Sequence, residues 1–106
     1  METIRFVAYG DAIAAALEWL KGHGVTLEEA YESRSGGFGM RTLDGSAGYR
    51  IEFDSRSGAH INVWWHKAKG PHYVFQGNEA AVRTKWRQLF LWDPRLKRRS
   101  SEDSQP

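Results

Sequence analysis

The sequence contains no cysteine among its 106 residues. A disulfide framework, a thiolate zinc site and a nucleophilic cysteine are therefore excluded. No apolar run approaches the roughly 20 residues that a membrane-spanning helix needs, and the N-terminus lacks the basic-then-apolar layout of a signal peptide. Internal repeats are also missing. These absences predict a soluble protein, and the length fits one domain with a single core.

Charge is distributed unevenly along the chain. Residues 1–32 contain six acidic and two basic side chains, whereas residues 33–99 contain five acidic and thirteen basic ones. A one-sided basic excess suits a polyanion, and aromatic residues lying between the basic ones offer stacking surface for nucleic-acid bases. The alternative interpretation is ordinary surface charge, with the tryptophans in the core.

Hydrophobic spacing predicts an α+β fold: an antiparallel sheet of about four strands, with one N-terminal and one C-terminal helix packed on its apolar face. Asp11 is the expected N-cap of the first helix, which Gly22 and Gly24 end. Thr26 and Glu29 resemble a capping box and predict a short second helix over residues 27–31. The apolar stripe expected on the first helix is Ile13, Ala16, Leu17 and Leu20.

The remaining elements follow from turn and cap signals. Residues 4–9 form a short strand or a connector, and a strand over 38–43 turns at Asp44-Gly45 into a strand over 49–54. Asn78 is the expected cap of the last helix. Residues 95–106 have little to bury, so we expect the domain to occupy 1–94 and a disordered tail to follow. The stripe expected on the last helix is Val82, Trp86, Leu89 and Phe90.

Three of the four histidines fall within residues 48–77, where the sequence alternates as strands do. A register that keeps apolar residues together places Asp54 beside His60, because cross-strand partners share a face. Extending it to the next strand places His66 beside His72. All three histidines are therefore expected on one polar face. The other pairs of this register are Phe53–Ile61, Ile51–Val63, Tyr49–Trp65, Glu52–Asn62, Arg50–Trp64, Trp65–Tyr73 and Val63–Phe75.

Two familiar kinds of site fit this face poorly. His60 and His66 lie roughly 20 Å apart along an extended strand, whereas the ligands of one zinc ion each sit about 2 Å from it. We therefore expect no metal and no cofactor. A serine triad is disfavoured as well, because Ser55 and Ser57 lie in a turn without a nucleophile elbow.

Metal-independent cleavage of RNA by its own 2′-hydroxyl needs only a general base, a general acid and a cation for the phosphorane. The expected catalytic residues are His60, Asp54, His72 and Lys69. The expected substrate-binding residues are Arg50, Asn62, Trp64, His66 and Lys67. Each has a plainer interpretation; Asp54, for example, would only shape the turn near Gly58. The competing class is a non-catalytic nucleic-acid-binding or protein-interaction module that uses the same basic face.

The run IEFDSRSGAHINVWWHKAKGPHYVF, followed by GNEAAV, resembles the C-terminal toxin modules of bacterial polymorphic toxins of the Rhs-repeat and contact-dependent inhibition type. The likeness covers roughly residues 11–90. The hairpin with Asp54 and His60 is also similar to that of ribosome-targeting colicin nucleases, although here no acidic residue follows His60 on its strand. The histidine after Gly58 gives a looser likeness to small messenger-RNA interferases.

These resemblances imply a ribonuclease toxin that cuts transfer or ribosomal RNA. They imply a delivered or secreted effector that acts in the cytoplasm of the target cell. Its partners would be the RNA substrate and a cognate immunity protein, and we expect the domain to be a monomer.

Overall fold

A computed structural model describes the backbone of residues 2–92 and the side chains of residues 2–90. The predicted α+β class is confirmed, but the sheet is mixed and has seven strands rather than about four antiparallel ones. The predicted disordered tail, residues 95–106, lies outside the described residues. In chain order the elements are β1 (Thr3–Phe6), α1 (Tyr9–Gly22), β2 (Glu29–Glu32), β3 (Phe38–Arg41), β4 (Ala47–Asp54), β5 (Gly58–Trp65), β6 (Ala68–Lys69), β7 (His72–Phe75) and α2 (Glu79–Trp92).

The sheet has the order β1-β7-β5-β4-β3-β2, and the short β6 pairs with β5 beside this path. β1 runs parallel to β7, whereas the other neighbouring pairs are antiparallel. The predicted helix over residues 27–31 is wrong, because residues 29–31 belong to β2, which pairs with β3. Glu29 does not close a capping box there; its Oε2 lies 2.7 Å from Arg41 Nε on the neighbouring strand.

α1 begins three residues earlier than the sequence indicates. Ala8 is the N-cap and makes no side-chain cap hydrogen bond, while Asp11 lies in the first turn. A carboxylate there still favours the helix, since it faces the positive end of the helix dipole. The expectation that Leu17 faces the core is wrong, because it is 40% exposed. The stripe that is fully buried consists of Ala12, Ala16 and Leu20.

α2 follows its sequence signals closely. The Asn78 Oδ1 atom accepts a hydrogen bond from the Ala81 N–H at 2.9 Å, so the predicted cap is confirmed. Val82 and Phe90 are buried, and Trp86 and Leu89 are partly buried against the same core.

Both helices pack on one face of the sheet. That face carries the side chains of Tyr49, Ile51, Ile61 and Val63, which α1 and α2 cover together. Neither helix covers the opposite face, so the polar residues of β4 and β5 border an open groove. Within residues 2–92, neither helix is long and apolar enough to cross a membrane.

The contact between Gly70 and α1 gives a test of this packing. A Cβ atom at Gly70 would lie 2.5 Å from Val63 Cγ2 and 2.7 Å from Trp19 Cε2. We expect Gly70→Ala to lower the free energy of unfolding by about 1 to 3 kcal/mol, the usual cost of overpacking. Gly10→Ala is the matched control, because nothing lies within 4 Å of that Cβ, and it should stabilise α1 by up to about 1 kcal/mol. Denaturant unfolding measures both; equal stabilities would contradict the packing.

Candidate active site

The turn between β4 and β5 sets the register of the polar face. Asp54 Oδ1 accepts hydrogen bonds from the backbone N–H groups of Arg56 at 2.8 Å and Ser57 at 2.6 Å. Gly58 adopts φ +70°, a conformation that favours glycine. Asp54 consequently pairs with Gly58, and Glu52 rather than Asp54 lies directly opposite His60.

The predicted register is therefore wrong by two residues, because the turn closes more tightly than expected. A shift of two keeps every side chain on its predicted face while changing its partner. The polar and apolar faces are thus as expected, although the pairs differ. The observed pairs are Phe53–Ala59, Ile51–Ile61, Arg50–Asn62, Tyr49–Val63, Gly48–Trp64 and Ala47–Trp65.

His72, not His66, is the neighbour of His60. The two rings of His60 and His72 stack with centroids 5.5 Å apart and planes inclined by 20°. The predicted pairs of β5 with β7 are wrong, because β6 pairs with the end of β5 and β7 therefore pairs with an earlier part of that strand. Ile61 is opposite Tyr73. His66 lies in the intervening turn with φ +54°, so the expected group of three histidines is in fact a pair.

His60 is buried even though it lies on the open face, with 4% of its surface exposed. Its Nδ1 atom lies 2.9 Å from the Gly58 carbonyl oxygen. Because a carbonyl only accepts, Nδ1 carries the hydrogen and donates it. Nε2 is then the nitrogen that can exchange a proton, and it lies 3.9 Å from both Glu52 Oε1 and Asp54 Oδ2.

Glu52 is the residue that the sequence analysis missed. Its Oε1 atom accepts a hydrogen bond from Asn62 Nδ2 at 2.5 Å. Arg50 Nε lies 3.0 Å from the same oxygen and forms an ion pair with it, without a hydrogen bond. Glu52 therefore links the amide, the guanidinium and the His60 imidazole. The sequence signal that could identify Glu52 is the turn that follows it. Because Asp54 binds the amides of this turn, the residue opposite His60 is Glu52.

The glycine-rich segment after β2 lies behind this carboxylate. A Cβ atom at Gly37 would come within 2.8 Å of the aliphatic carbons of both Arg50 and Glu52. The absence of a side chain at Gly37 therefore lets these two stems lie against the backbone. The structure thus places the segment beside the site, as a support for two of its charged groups.

A groove of about 390 Å³ runs over the open face. Its lining includes Glu52 and six of the nine residues predicted for the site. Asp54 lies beside the groove through its contact with His60, whereas His66 and Lys67 do not line it. Among residues 2–92, no group of three or more His, Asp or Glu side chains is arranged to hold a metal ion. The six predicted residues are Arg50, His60, Asn62, Trp64, Lys69 and His72.

Two ionisable groups of the site have altered affinities for protons. Burial, followed by the charge of His60, lowers the pKa of His72 below its ordinary value of 6.5. His72 is therefore mainly neutral at pH 7 and able to accept a proton. Hydrogen bonds from the backbone of Ser57 and Arg56 lower the pKa of Asp54, which keeps this carboxyl ionised.

The chain matches no protein-family model, and no curated protein matches it.

The imidazole stack predicts a coupling that can be measured without a substrate. His60→Asn removes both a repelling charge and a neighbour that shields His72 from water, so the pKa of His72 should rise toward 6.5. Titration by NMR of the His72 ring resonances measures the change. His66→Asn is the control, because asparagine tolerates the positive φ at that position. A His72 pKa that responds equally to both variants, or to neither, would show that the two rings do not interact.

Proposed function

We propose that the protein is a metal-independent ribonuclease in which His60 and His72 transfer the protons of the reaction. The observation that carries this proposal is the stacking of the two imidazoles in a groove that also holds Lys69 and Arg50. The reaction needs a base, an acid and a cation, and this groove offers a side chain for each.

In the proposed reaction the 2′-hydroxyl oxygen of one ribose attacks the adjacent phosphorus. His72, whose lowered pKa leaves it neutral, takes the proton from that hydroxyl. His60, protonated at Nε2, gives a proton to the departing 5′-oxygen as its bond to phosphorus breaks. The products are a 2′,3′-cyclic phosphate and a free 5′-hydroxyl. The next turnover requires one proton to move from His72 back to His60, through water or through the cyclic ester's hydrolysis.

Two carboxylates lie near His60, the proposed general acid. Glu52 and Asp54 lie at equal distances from His60 Nε2, so either can stabilise a positive charge on the ring. Asp54 keeps its predicted role as partner, but it shares that role with Glu52 and also shapes the turn. Asn62 holds Glu52 in place through its hydrogen bond and so acts as a positioning residue.

The cations stabilise the charge that develops on the phosphorane. Lys69 extends from β6 beside the groove, and Arg50 extends from β4. Arg50 Nε is buried and lies 3.0 Å from Glu52 Oε1, so the donors for a phosphate oxygen are the terminal nitrogens of the guanidinium. These two side chains supply the electrostatic stabilisation that a metal ion provides in other nucleases.

The toxin part of the proposal rests on the sequence resemblance of the β4–β7 region. Under it the domain is delivered to a target cell, cuts transfer or ribosomal RNA in the cytoplasm, and is blocked in the producing cell by an immunity protein. A nuclease that cuts transfer or ribosomal RNA would also damage the cell that makes it, so an inhibitor that covers the open face fits this activity.

The proton-transfer pair is tested by incubating the purified domain with total bacterial RNA in EDTA. We expect cleavage by the wild type, and a loss of about 10² to 10⁴ in rate for His60→Ala and for His72→Ala, the usual cost of losing a general acid or base. His66→Asn should cleave normally, since His66 lies outside the groove. An oligonucleotide with one 2′-deoxy nucleotide should resist cleavage at that position.

Three results would contradict the mechanism. Cleavage that stops in EDTA and returns with magnesium or zinc would replace it with metal-dependent chemistry. Wild-type rates in both alanine variants would remove the histidines from the reaction. Absence of cleavage together with tight RNA binding would favour the non-catalytic module.

The phosphate contacts are tested by the salt dependence of binding to a non-cleavable 2′-O-methyl oligonucleotide. Lys69→Ala should reduce the slope of log affinity against log salt by about 0.7, the value for one phosphate contact on a single strand. Lys67→Ala is the matched control, because Lys67 is two residues away and does not line the groove. If the two slopes are the same, Lys69 does not contact phosphate.

A further inference from the structure

An aromatic pair extends the groove beyond the histidines. Tyr31 lies on β2 and Trp64 on β5, with two strands between them, so their backbones are separated by roughly 14 Å. Their ring centroids are nevertheless 6.1 Å apart, with the rings perpendicular. The intervening strands make this approach easy, because the residue paired with Tyr31 is Gly39 and the residue paired with Trp64 is Gly48.

Each ring is held by its polar atom. The Tyr31 hydroxyl donates a hydrogen bond to the Tyr49 carbonyl oxygen at 3.2 Å, and Trp64 Nε1 donates one to the Gly45 carbonyl oxygen at 3.1 Å. The Arg41 guanidinium lies 4.5 Å from the centroid of the Tyr31 ring. The indole is therefore already oriented before any ligand binds, and little side-chain entropy is lost when one does.

Trp64 is the member of this pair that lines the groove, together with the two cations Arg50 and Lys69. It lies four residues from His60 on the same face of β5, roughly 13 Å along the strand. A group that contacts Trp64 therefore belongs to a different nucleotide from the one whose 2′-hydroxyl reacts. The flat indole beside two positive charges matches the base and phosphates of an RNA strand.

We infer that Trp64, supported by Tyr31 and Arg41, is a stacking subsite for one unpaired base of single-stranded RNA, next to the linkage that is cut. This inference rests on the proposed function and adds the form of RNA that the site selects. A base inside a duplex is already paired and stacked, so only a loop or a single strand can offer its face to the indole. The domain therefore favours unpaired RNA, through a contact that reads no particular sequence.

The experiment measures binding alone, so its failure is distinct from a failure of cleavage. The probes are 2′-O-methyl oligonucleotides with a single abasic position moved along the strand, and affinity is read by fluorescence anisotropy. For the wild type we expect one position at which base removal weakens binding by about 5- to 150-fold, the range for one stacked base. Trp64→Leu should weaken binding of the intact strand similarly and lose sensitivity at that position, since the two changes remove the same contact.

Two variants act as controls. Trp64→Phe keeps an aromatic face and should retain the abasic sensitivity. Trp64→Leu removes no charge, so its salt slope should equal that of the wild type, unlike Lys69→Ala. If Trp64→Leu fails to fold, the abasic scan of the wild type and of Trp64→Phe still shows whether one base stacks in the groove.

The inference is overturned if the wild type shows no sensitive position, or if Trp64→Leu keeps the same sensitivity as the wild type. It is overturned equally if a base-paired 2′-O-methyl duplex binds as tightly as the single strand. If binding is sensitive to base removal at one position but no RNA is cleaved, the stacking subsite is supported and the proposed nuclease activity is contradicted.

Discussion

The turn from Asp54 to Gly58 is the constraint on which the polar face depends. Its aspartate binds two turn amides, and its glycine takes the positive φ that completes the reversal. A turn of another length would place a different pair of side chains at every level of β4 and β5. The length of this turn therefore determines that Glu52 lies opposite His60.

The sequence predicts the composition of the groove better than its geometry. Alternation along a strand assigns a face to each side chain, and this assignment survives a register error of two residues. Arg50, His60, Asn62 and Trp64 consequently meet in one groove as expected. The predicted partner of His60, Asp54, is wrong, because the cross-strand partner depends on how the turn closes, and Glu52 occupies that position. Asp54 fits both the turn and a position beside His60, and its hydrogen bonds to the turn amides bring Glu52 rather than Asp54 opposite His60.

The parts of the fold that the sequence did not reveal depend on contacts between distant segments. Residues 27–31 follow a capping pattern typical of a helix, yet residues 29–31 belong to β2 because β3 offers an edge for pairing. β1 has only four residues and joins the sheet by pairing with β7, which lies nearly seventy residues later in the chain. By contrast, the cap of α2 and the Asp44-Gly45 turn are local, and local signals were enough to predict them.

The parallel pairing of β1 with β7 has a consequence for how the domain forms. β7 lies between β1 and β5, and it carries His72. Joining β1 to β7 closes a loop that includes α1 and every other strand, and long loops are slow to close because their entropy cost precedes the gain in contacts. The imidazole pair, by contrast, depends on the local pairing of β7 with β5, and β1 adds to the sheet on the far side of β7. The His60–His72 pair and the groove beside it can therefore form only after residues 72–75 have been synthesised.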